Sequence, residues 1–175
     1  MGALPVKDLI LVRHAKSSWK DPALRDHERP LNKRGKRDAP EMGERLARRG
    51  YDPDLMVSSS AVRALKTARR VAGKLAYSRE GIAVEDRLYH AGVAELLQVI
   101  RGVDDSVGIL TLFGHNPGLT DLANHLGPRE IFNLPTCAVL HLRFEAESWT
   151  EVGKTPVDEV MYDYPKSNHR NGAKV

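Results

Sequence analysis

The sequence predicts an α/β protein, a three-layer α/β/α sandwich around a mostly parallel central sheet. Two observations support this prediction. Short continuous apolar runs such as Leu9–Val12 are typical of strands covered on both faces. They alternate with segments such as Ala61–Ala76, whose apolar residues recur at helical spacing. Strands that alternate with helices form βαβ units, whose crossover helices make neighbouring strands parallel.

In chain order, apolar runs predict the strands and periodic apolar positions predict the helices. The predicted strands are Leu9–Val12, Leu55–Val57, Ile82–Leu88, Val107–Phe113 and Cys137–Phe144, and the predicted helices are Asn32–Arg49, Ala61–Ala76, Val93–Arg101 and a turn and helix over Asn116–Leu126. Gly50 closes the first helix as a C′ residue. Pro40 interrupts that helix, so either it kinks there or a new turn begins with Asp38 as the N-cap.

Length and composition fit a single soluble globular domain. A chain of 175 residues buries roughly 70% of its unfolded surface, which is enough for a core without disulfides or structural metal. No apolar run approaches the ~20 residues of a membrane span, and the N-terminus lacks the apolar segment of a secretory signal. The single Cys137 excludes an intramolecular disulfide. We expect a cytoplasmic protein with one domain over residues 1–164 and a flexible tail over residues 165–175.

The formal charge of +4 favours anionic ligands, and the excess is concentrated in one segment. Between Arg29 and Gly50, eight Lys and Arg residues stand against three Asp and Glu residues. One interpretation is a nucleic-acid-binding module that uses the basic helix over residues 32–50. A solvated amphipathic helix is favoured, because no aromatic residue interleaves with these charges to stack on bases.

Basic side chains follow three of the predicted strands. Arg13 and His14 follow the first, Arg63 lies in the first turn of the helix after the second, and His115 follows the Val107–Phe113 strand. Ligands of open α/β sheets bind beyond the carboxyl ends of the strands, so these four side chains are expected to meet there. Arginine donates a planar fork of hydrogen bonds to phosphate oxygens, and histidine serves as nucleophile or proton carrier. The pattern predicts a phosphate pocket with a reactive centre.

Four blocks of sequence resemble the histidine phosphatase superfamily, the phosphoglycerate mutase-like fold, and in particular its small SixA-type phosphohistidine phosphatases. The blocks are Leu11-Val-Arg-His-Ala15, Arg29-Pro-Leu31 followed by Gly35, Ser59-Ser-Ala-Val-Arg-Ala-Leu-Lys-Thr-Ala68, and Gly114-His-Asn-Pro-Gly118. They occur in the family's order and extend from about residue 7 to residue 145. Ala15 replaces the glycine that is common in the wider superfamily, a departure typical of the SixA-type branch.

The resemblance implies a role for each matched residue. His14 would be the nucleophile, forming a phosphohistidine intermediate that water then hydrolyses. Arg13, Arg63 and His115 would hold the phosphoryl oxygens and stabilise their transition-state charge. Two guanidinium groups offset that charge, so we expect neither a metal nor another cofactor.

The superfamily's usual acid, a Glu or Asp, should fall near Tyr89-His90, where this chain has no carboxylate. Asp26 is the best substitute, because SixA-type sequences often carry an acid there. Asp26 could equally serve as a local partner for Arg29 or as a cap for the turn. Glu28, Asp21 and His90 are weaker candidates for the acid.

Two other patterns suggest different chemistry and are set aside. Cys137 and Arg143 match the C-x5-R signature of cysteine-dependent phosphatases, but the intervening residues predict a strand that would separate them by about 20 Å. The seven histidines suggest a metal site that His14 and His115 could share, but Arg13 is next to His14, and arginines repel cations. His141 alternates with apolar residues and is predicted to face the polar side of its strand.

The sequence therefore predicts a metal-independent phosphatase that works through His14 and acts on phosphohistidine in a protein partner. The alternative within the superfamily is a phosphomonoesterase for a small-molecule or nucleotide phosphate ester. The short chain favours the first, since larger relatives carry insertions that cap a specific substrate. Neither a nucleic acid nor a membrane is an expected partner.

Overall fold

Six strands form one sheet in the computed structural model, which describes residues 2–167. The elements in chain order are β1 (Val6–Arg13), α1 (Lys33–Arg48), β2 (Leu55–Ser58), α2 (Val62–Lys74), β3 (Ala83–Val84), α3 (Val93–Arg101), β4 (Ile109–Gly114), α4 (Gly118–Leu126), β5 (Val139–Glu145) and β6 (Val157–Asp163). The strand order is β3-β2-β4-β1-β5-β6. The first four strands of that order run parallel, and β5 and β6 are antiparallel to their neighbours, so the predicted mostly parallel sheet is confirmed.

Strand β1 lies inside the sheet and is buried on both faces. Leu9 and Leu11 pack into the core cluster that includes residues of α3 and α4, and Ile10 and Val12 pack into the cluster that includes residues of α1 and α2. Successive side chains of a strand point to opposite faces, so a continuous apolar run fills two layers at once. The burial of β1 fixes the position of its last residue, from which the site is built.

Helix α1 is continuous through Pro40, and no new turn starts at Asp38. Its N-cap is Asn32, whose side chain accepts a hydrogen bond from the Gly35 N–H. Asp38 is buried and forms ion pairs with Arg34 and Arg37, so part of the positive charge of this segment is balanced within the helix.

Two predicted strands differ from the structure, and one strand was missed. The strand predicted over residues 82–88 is wrong, because only Ala83 and Val84 pair with β2 before a 3-10 turn at Asp86–Leu88. The edge strand β6 was not predicted. Cys137 does not belong to β5, because its φ of 62° is incompatible with a strand and pairing begins at Val139.

The start of the predicted tail contacts the body of the protein. Arg45 of α1 donates hydrogen bonds to the carbonyl oxygens of Tyr164 and Pro165, at 3.1 and 3.0 Å. Residues 168–175 of that prediction lie outside the described residues. Within residues 2–167, no helix has the length and apolar character needed to cross a membrane.

A polar cluster joins β1 to β5, in which Asp8 and His141 are buried and Arg143 is exposed. Asp8 accepts hydrogen bonds from His141 Nε2 at 2.6 Å and from Arg143 Nε at 2.8 Å. His141 faces away from the apolar residues with which it alternates, as predicted, but it is buried, with its ring hydrogen-bonded to the Asp8 carboxylate. Burial acts to raise the pKa of Asp8, but the hydrogen bonds from His141 and Arg143 outweigh it and the pKa is lowered.

Replacement of Asp8 by Asn should destabilise the fold, because it removes the charge that both partners face. We expect Asp8→Asn to lower the free energy of unfolding by about 2 kcal/mol in urea titrations at pH 7. The effect should shrink as the pH falls through the lowered pKa of Asp8, where the parent protein also loses the carboxylate. Glu44→Gln, which breaks a solvent-exposed pair with Lys74, is the matched control and should change stability little. Equal effects of the two substitutions would contradict this account.

Candidate active site

His14 follows β1 directly and is buried at the carboxyl end of the parallel strands. Its Nδ1 lies 2.8 Å from the carbonyl oxygen of Ala15. A carbonyl oxygen only accepts hydrogen bonds, so Nδ1 carries the proton and donates it. The lone pair of the neutral ring is therefore on Nε2.

The surroundings of His14 keep its ring neutral. The pKa of His14 is lowered from 6.5 to about 4, chiefly by burial and in addition by the positive charges of Arg63, Arg13 and Arg29, while the Ala15 hydrogen bond opposes the shift. An imidazole with this pKa is deprotonated at neutral pH. The structure thus presents an uncharged ring with an unprotonated Nε2 among cations.

Arg63, in the first turn of α2, connects His14 to a second segment of the chain. Its Nε–H points at His14 Nε2 at 3.4 Å, and its two terminal nitrogens donate to the Asp26 carbonyl oxygen at 2.6 Å and to Asp26 Oδ2 at 3.0 Å. Thr67, one turn later, donates to the Arg63 carbonyl and accepts from the Ala15 N–H. One helix therefore fixes both the guanidinium and the backbone beside His14.

Asp26 lies in a 3-10 turn over residues 26–28 and holds three donors. Besides Arg63, its carboxylate accepts from Arg29 Nη1 at 2.8 Å and from the Tyr89 hydroxyl at 2.6 Å. The hydrogen bond from Tyr89, followed by those from Arg29 and Arg63, holds the pKa of Asp26 far below its usual range, although partial burial acts in the other direction. Asp26 is therefore ionised at neutral pH and fully engaged as an acceptor.

His115 follows β4 and lies against His14, with ring centroids 5.1 Å apart. Its Nε2 lies 2.8 Å from the Ser59 hydroxyl. Burial, followed by the charge that His14 carries when it is protonated and by the charge of Arg63, lowers the pKa of His115 to about 3, so this ring is also neutral. The site holds two neutral imidazoles side by side.

Two buried nitrogens at the site have no hydrogen-bond partner, Arg13 Nε and His115 Nδ1. The rest of Arg13 is held in place, since its Nη1 donates to the Leu134 carbonyl at 2.8 Å. The Asn116 side chain donates to the same carbonyl oxygen and thereby anchors the loop that contains Leu134. Buried polar groups are normally satisfied, so two unpartnered nitrogens at one site point to a polar ligand that would bind them.

Arg13, His14 and Arg63 border a cavity of about 250 Å³. It is lined by Arg13, His14, Lys16, Ser17, Trp19, Arg29, Arg63 and Thr136. Arg29 is buried, donates to Ser17 Oγ and stacks on the ring of Trp19 at 3.3 Å from the centroid. Four of the lining side chains are cationic and none is acidic, so the cavity suits an anion with several oxygen atoms.

Two glycines allow the backbone contacts that shape the site. A Cβ at Gly35 would collide with the carbonyl oxygen of Lys16, which holds the segment after His14 against the start of α1. A Cβ at Gly118 would collide with the carbonyl oxygen of Ala91, where α4 meets the loop after Tyr89. Only glycine permits these approaches without a shift of the backbone.

The structure brings all five predicted site residues together: Arg13, His14, Asp26, Arg63 and His115. The alternative acids Glu28 and Asp21 instead accept from the backbone N–H groups of Arg25 and Ala23, and His90 lines an adjoining cavity. Sequence reasoning gave Arg29 only a local role and did not find Trp19, Ser59 or the Tyr89 hydroxyl. The RPL block that contains Arg29 was the available signal.

The competing motifs do not form sites. Cys137 is buried, which raises the pKa of its thiol far above the usual range, and Arg143 is paired with Asp8. No group of three His, Cys, Asp or Glu side chains suited to a metal ion occurs among the described residues.

Comparison with known proteins identifies the family. A model described as histidine phosphatase superfamily (branch 1) matches residues 9–95, about half of the chain. The protein belongs to the histidine phosphatase superfamily. An uncharacterized chloroplastic protein of Arabidopsis thaliana is 34% identical over 151 residues, which are 82% of this chain and 69% of that protein.

Solved structures of SixA proteins share the fold. The putative phosphohistidine phosphatase SixA of Agrobacterium tumefaciens superposes with a TM-score of 0.75 at 26% identity, over 91% of this chain and 98% of that one. A protein histidine phosphatase SixA complexed with tungstate superposes with a TM-score of 0.73 at 20% identity, over 90% and 97% of the two chains. The predicted fold and SixA-like family are confirmed, and they support a phosphatase.

The neutral state of His14 should make stability depend on pH. Between the ordinary value of 6.5 and the folded value of about 4, the unfolded chain binds a proton at residue 14 that the folded chain does not. Stability must therefore fall as the pH is lowered through this window. His14→Gln removes the proton-binding group, so the decrease in unfolding free energy between about pH 7 and pH 5 should be smaller for the variant in urea titrations. An equal decrease in both proteins would show that His14 is not held neutral by the fold.

Proposed function

We propose that this phosphatase uses His14 as its nucleophile and removes the phosphoryl group of phosphohistidine on a protein partner. The observation that carries the proposal is the neutral His14 ring, with its Nε2 lone pair facing the Arg63 guanidinium in a cationic cavity. An uncharged imidazole is nucleophilic, and a guanidinium beside its lone pair is placed to bind the phosphoryl group that the ring attacks.

In the first step, His14 Nε2 attacks phosphorus as the bond to the leaving group breaks. Arg63 turns its Nε–H from His14 to a phosphoryl oxygen, and Arg13 and His115 donate the hydrogen bonds of their unpartnered nitrogens. These preorganised donors stabilise the charge of the transition state. In the second step, water attacks phosphorus, the His14–phosphorus bond breaks, and inorganic phosphate leaves.

Asp26 acts in this mechanism as a positioning residue for the arginines. Its carboxylate binds Arg29 and Arg63 at the same time and is ionised before the reaction starts. A carboxylate held in this form has no proton to give to a leaving group. This supports the interpretation of Asp26 as a partner of arginine over its interpretation as the general acid.

The form of the cavity supports a phosphorylated side chain as substrate. Its volume of about 250 Å³ accommodates a phosphoryl group with the ring that carries it, and Trp19 and Lys16 stand exposed at its lining. The SixA protein bound to tungstate is named a protein histidine phosphatase. A nucleic-acid partner is less well supported, because carboxylates of the basic segment pair with cationic side chains. The pairs are Asp38 with Arg34, Glu41 with Arg45, and Glu44 with Lys74. The cytoplasmic compartment stays a prediction.

The covalent intermediate provides the test of this proposal. Rapid quench with labelled p-nitrophenyl phosphate should trap a label that is stable in base and labile in acid, as expected of a phosphoramidate. His14→Ala should abolish both the label and turnover, whereas Cys137→Ser should retain both. Turnover should also persist in a chelator. Label that survives His14→Ala, or a strict need for added divalent metal, would refute the mechanism.

Substrate class is tested separately. We expect a protein carrying one phosphohistidine, prepared with phosphoramidate, to be dephosphorylated with a higher kcat/KM than sugar phosphates or nucleotides. Efficient hydrolysis of a metabolite phosphate with inertness toward phosphohistidine would favour the phosphomonoesterase alternative and leave His14 in place.

Asp26→Asn distinguishes positioning from acid catalysis. A positioning role predicts that kcat/KM falls by a similar factor, roughly 10²-fold, for p-nitrophenyl phosphate and for an alkyl phosphate, and that vanadate binds more weakly. A general acid would instead be needed mainly for the alkyl phosphate, whose leaving group is the stronger base. A selective loss on the alkyl ester would contradict the positioning role.

A further inference from the structure

A leaving group that is a strong base must receive a proton as its bond to phosphorus breaks. Asp26 is ionised and bound to three donors, and His115 is neutral with its Nε2 bound to Ser59. Neither side chain carries a proton suited to this task before the substrate binds. Hydrolysis of an alkyl ester at this cavity therefore needs another proton donor nearby.

A second cavity of about 180 Å³ lies on the other member of the His14–His115 ring pair. It is lined by His90, Ala91, Gly92, His115, Asn116, Pro117, Gly118 and Asp121. His115 contributes to this cavity while its ring contacts His14, which lines the first cavity. A leaving group that extends past His115 enters a space that contains one further imidazole, His90, and one carboxylate, Asp121.

His90 is held at this cavity in an unusual backbone conformation. Its φ of 56° lies in the left-handed region, which residues other than glycine rarely adopt. Its ring lies on Tyr89 with the centroids 3.9 Å apart, and the Tyr89 hydroxyl binds Asp26. Backbone strain of this kind persists where the surrounding structure fixes a side chain, and it is often found at functional sites.

We infer that His90 is the proton donor to the leaving group, a role that rests on the proposed function of His14. As His14 Nε2 bonds to phosphorus, the departing atom, which is the ring nitrogen of a phosphohistidine or the oxygen of an ester, takes the electron pair of the broken bond and a proton from the His90 imidazolium. His90 is then neutral. In the second step it accepts a proton from the attacking water as the His14–phosphorus bond breaks, which restores the imidazolium.

Histidine suits this role because it is the side chain whose charge ordinarily changes between about pH 5 and 8. Asp121, in the first turn of α4, lines the same cavity. Within this cavity His90 is therefore the group that can both release a proton in the first step and accept one in the second.

The test compares two substrates with leaving groups of different basicity. His90→Asn is the suitable variant, because asparagine tolerates positive φ and has no proton to transfer near neutral pH. Turnover of glycerol phosphate should fall roughly 10²-fold, and turnover of p-nitrophenyl phosphate, which expels a stabilised phenolate, only a few-fold. His90→Gly with added imidazole should recover much of the glycerol phosphate activity. The matched control is His125→Asn, since His125 is an exposed histidine in the last turn of α4, the helix that carries Asp121.

Selective loss on glycerol phosphate with recovery by imidazole is the expected result. Equal losses on both substrates, no loss on either, or the same selective loss in His125→Asn would overturn the role of His90. These outcomes leave the proposed function intact as long as His14→Ala abolishes turnover of p-nitrophenyl phosphate. Activity that survives His14→Ala would instead remove the basis of both proposals.

Discussion

The guanidinium of Arg63 is the group on which the rest of the site depends. It contacts His14 Nε2 through one nitrogen and Asp26 through the other two, so it joins the end of β1 to the turn over residues 26–28. Thr67 ties the same helix to the backbone next to His14. Because these contacts converge from separate segments, the orientation of the proposed nucleophile is inseparable from the docking of α2 on the sheet.

Charge explains why this arrangement is reactive. A buried histidine among arginines is costly to protonate. His14 therefore stays neutral in the folded protein, and its Nε2 keeps a lone pair. The same arginines are only partly neutralised by Asp26, and nitrogens of Arg13 and His115 lack partners. A bound phosphoryl group supplies the missing negative charge and the missing acceptors, and it is at the same time the group that His14 attacks in the proposed mechanism.

The sequence predicted the parts of the fold and site that depend on local patterns. The continuous apolar run of β1 marks an interior strand, and side chains placed directly after interior strands, such as His14 and His115, necessarily meet at one edge. Tyr89 was harder to place, because its hydroxyl binds an Asp26 carboxylate that is distant in sequence, whereas the pair of Asp26 with Arg29 is local. The strand predicted over residues 82–88 failed for a related reason, since pairing at a sheet edge depends on neighbours and not on the segment alone.

The most direct test of the central claim is a crystal structure of the protein with vanadate, which adopts the trigonal-bipyramidal geometry of the transition state. The account predicts vanadium bonded to His14 Nε2, with Arg63 Nε, Arg13 Nε and His115 Nδ1 donating to its oxygens and Asp26 still bound to Arg63. Vanadium bonded to any other side chain, or bound with His14 Nε2 facing away from it, would contradict the account.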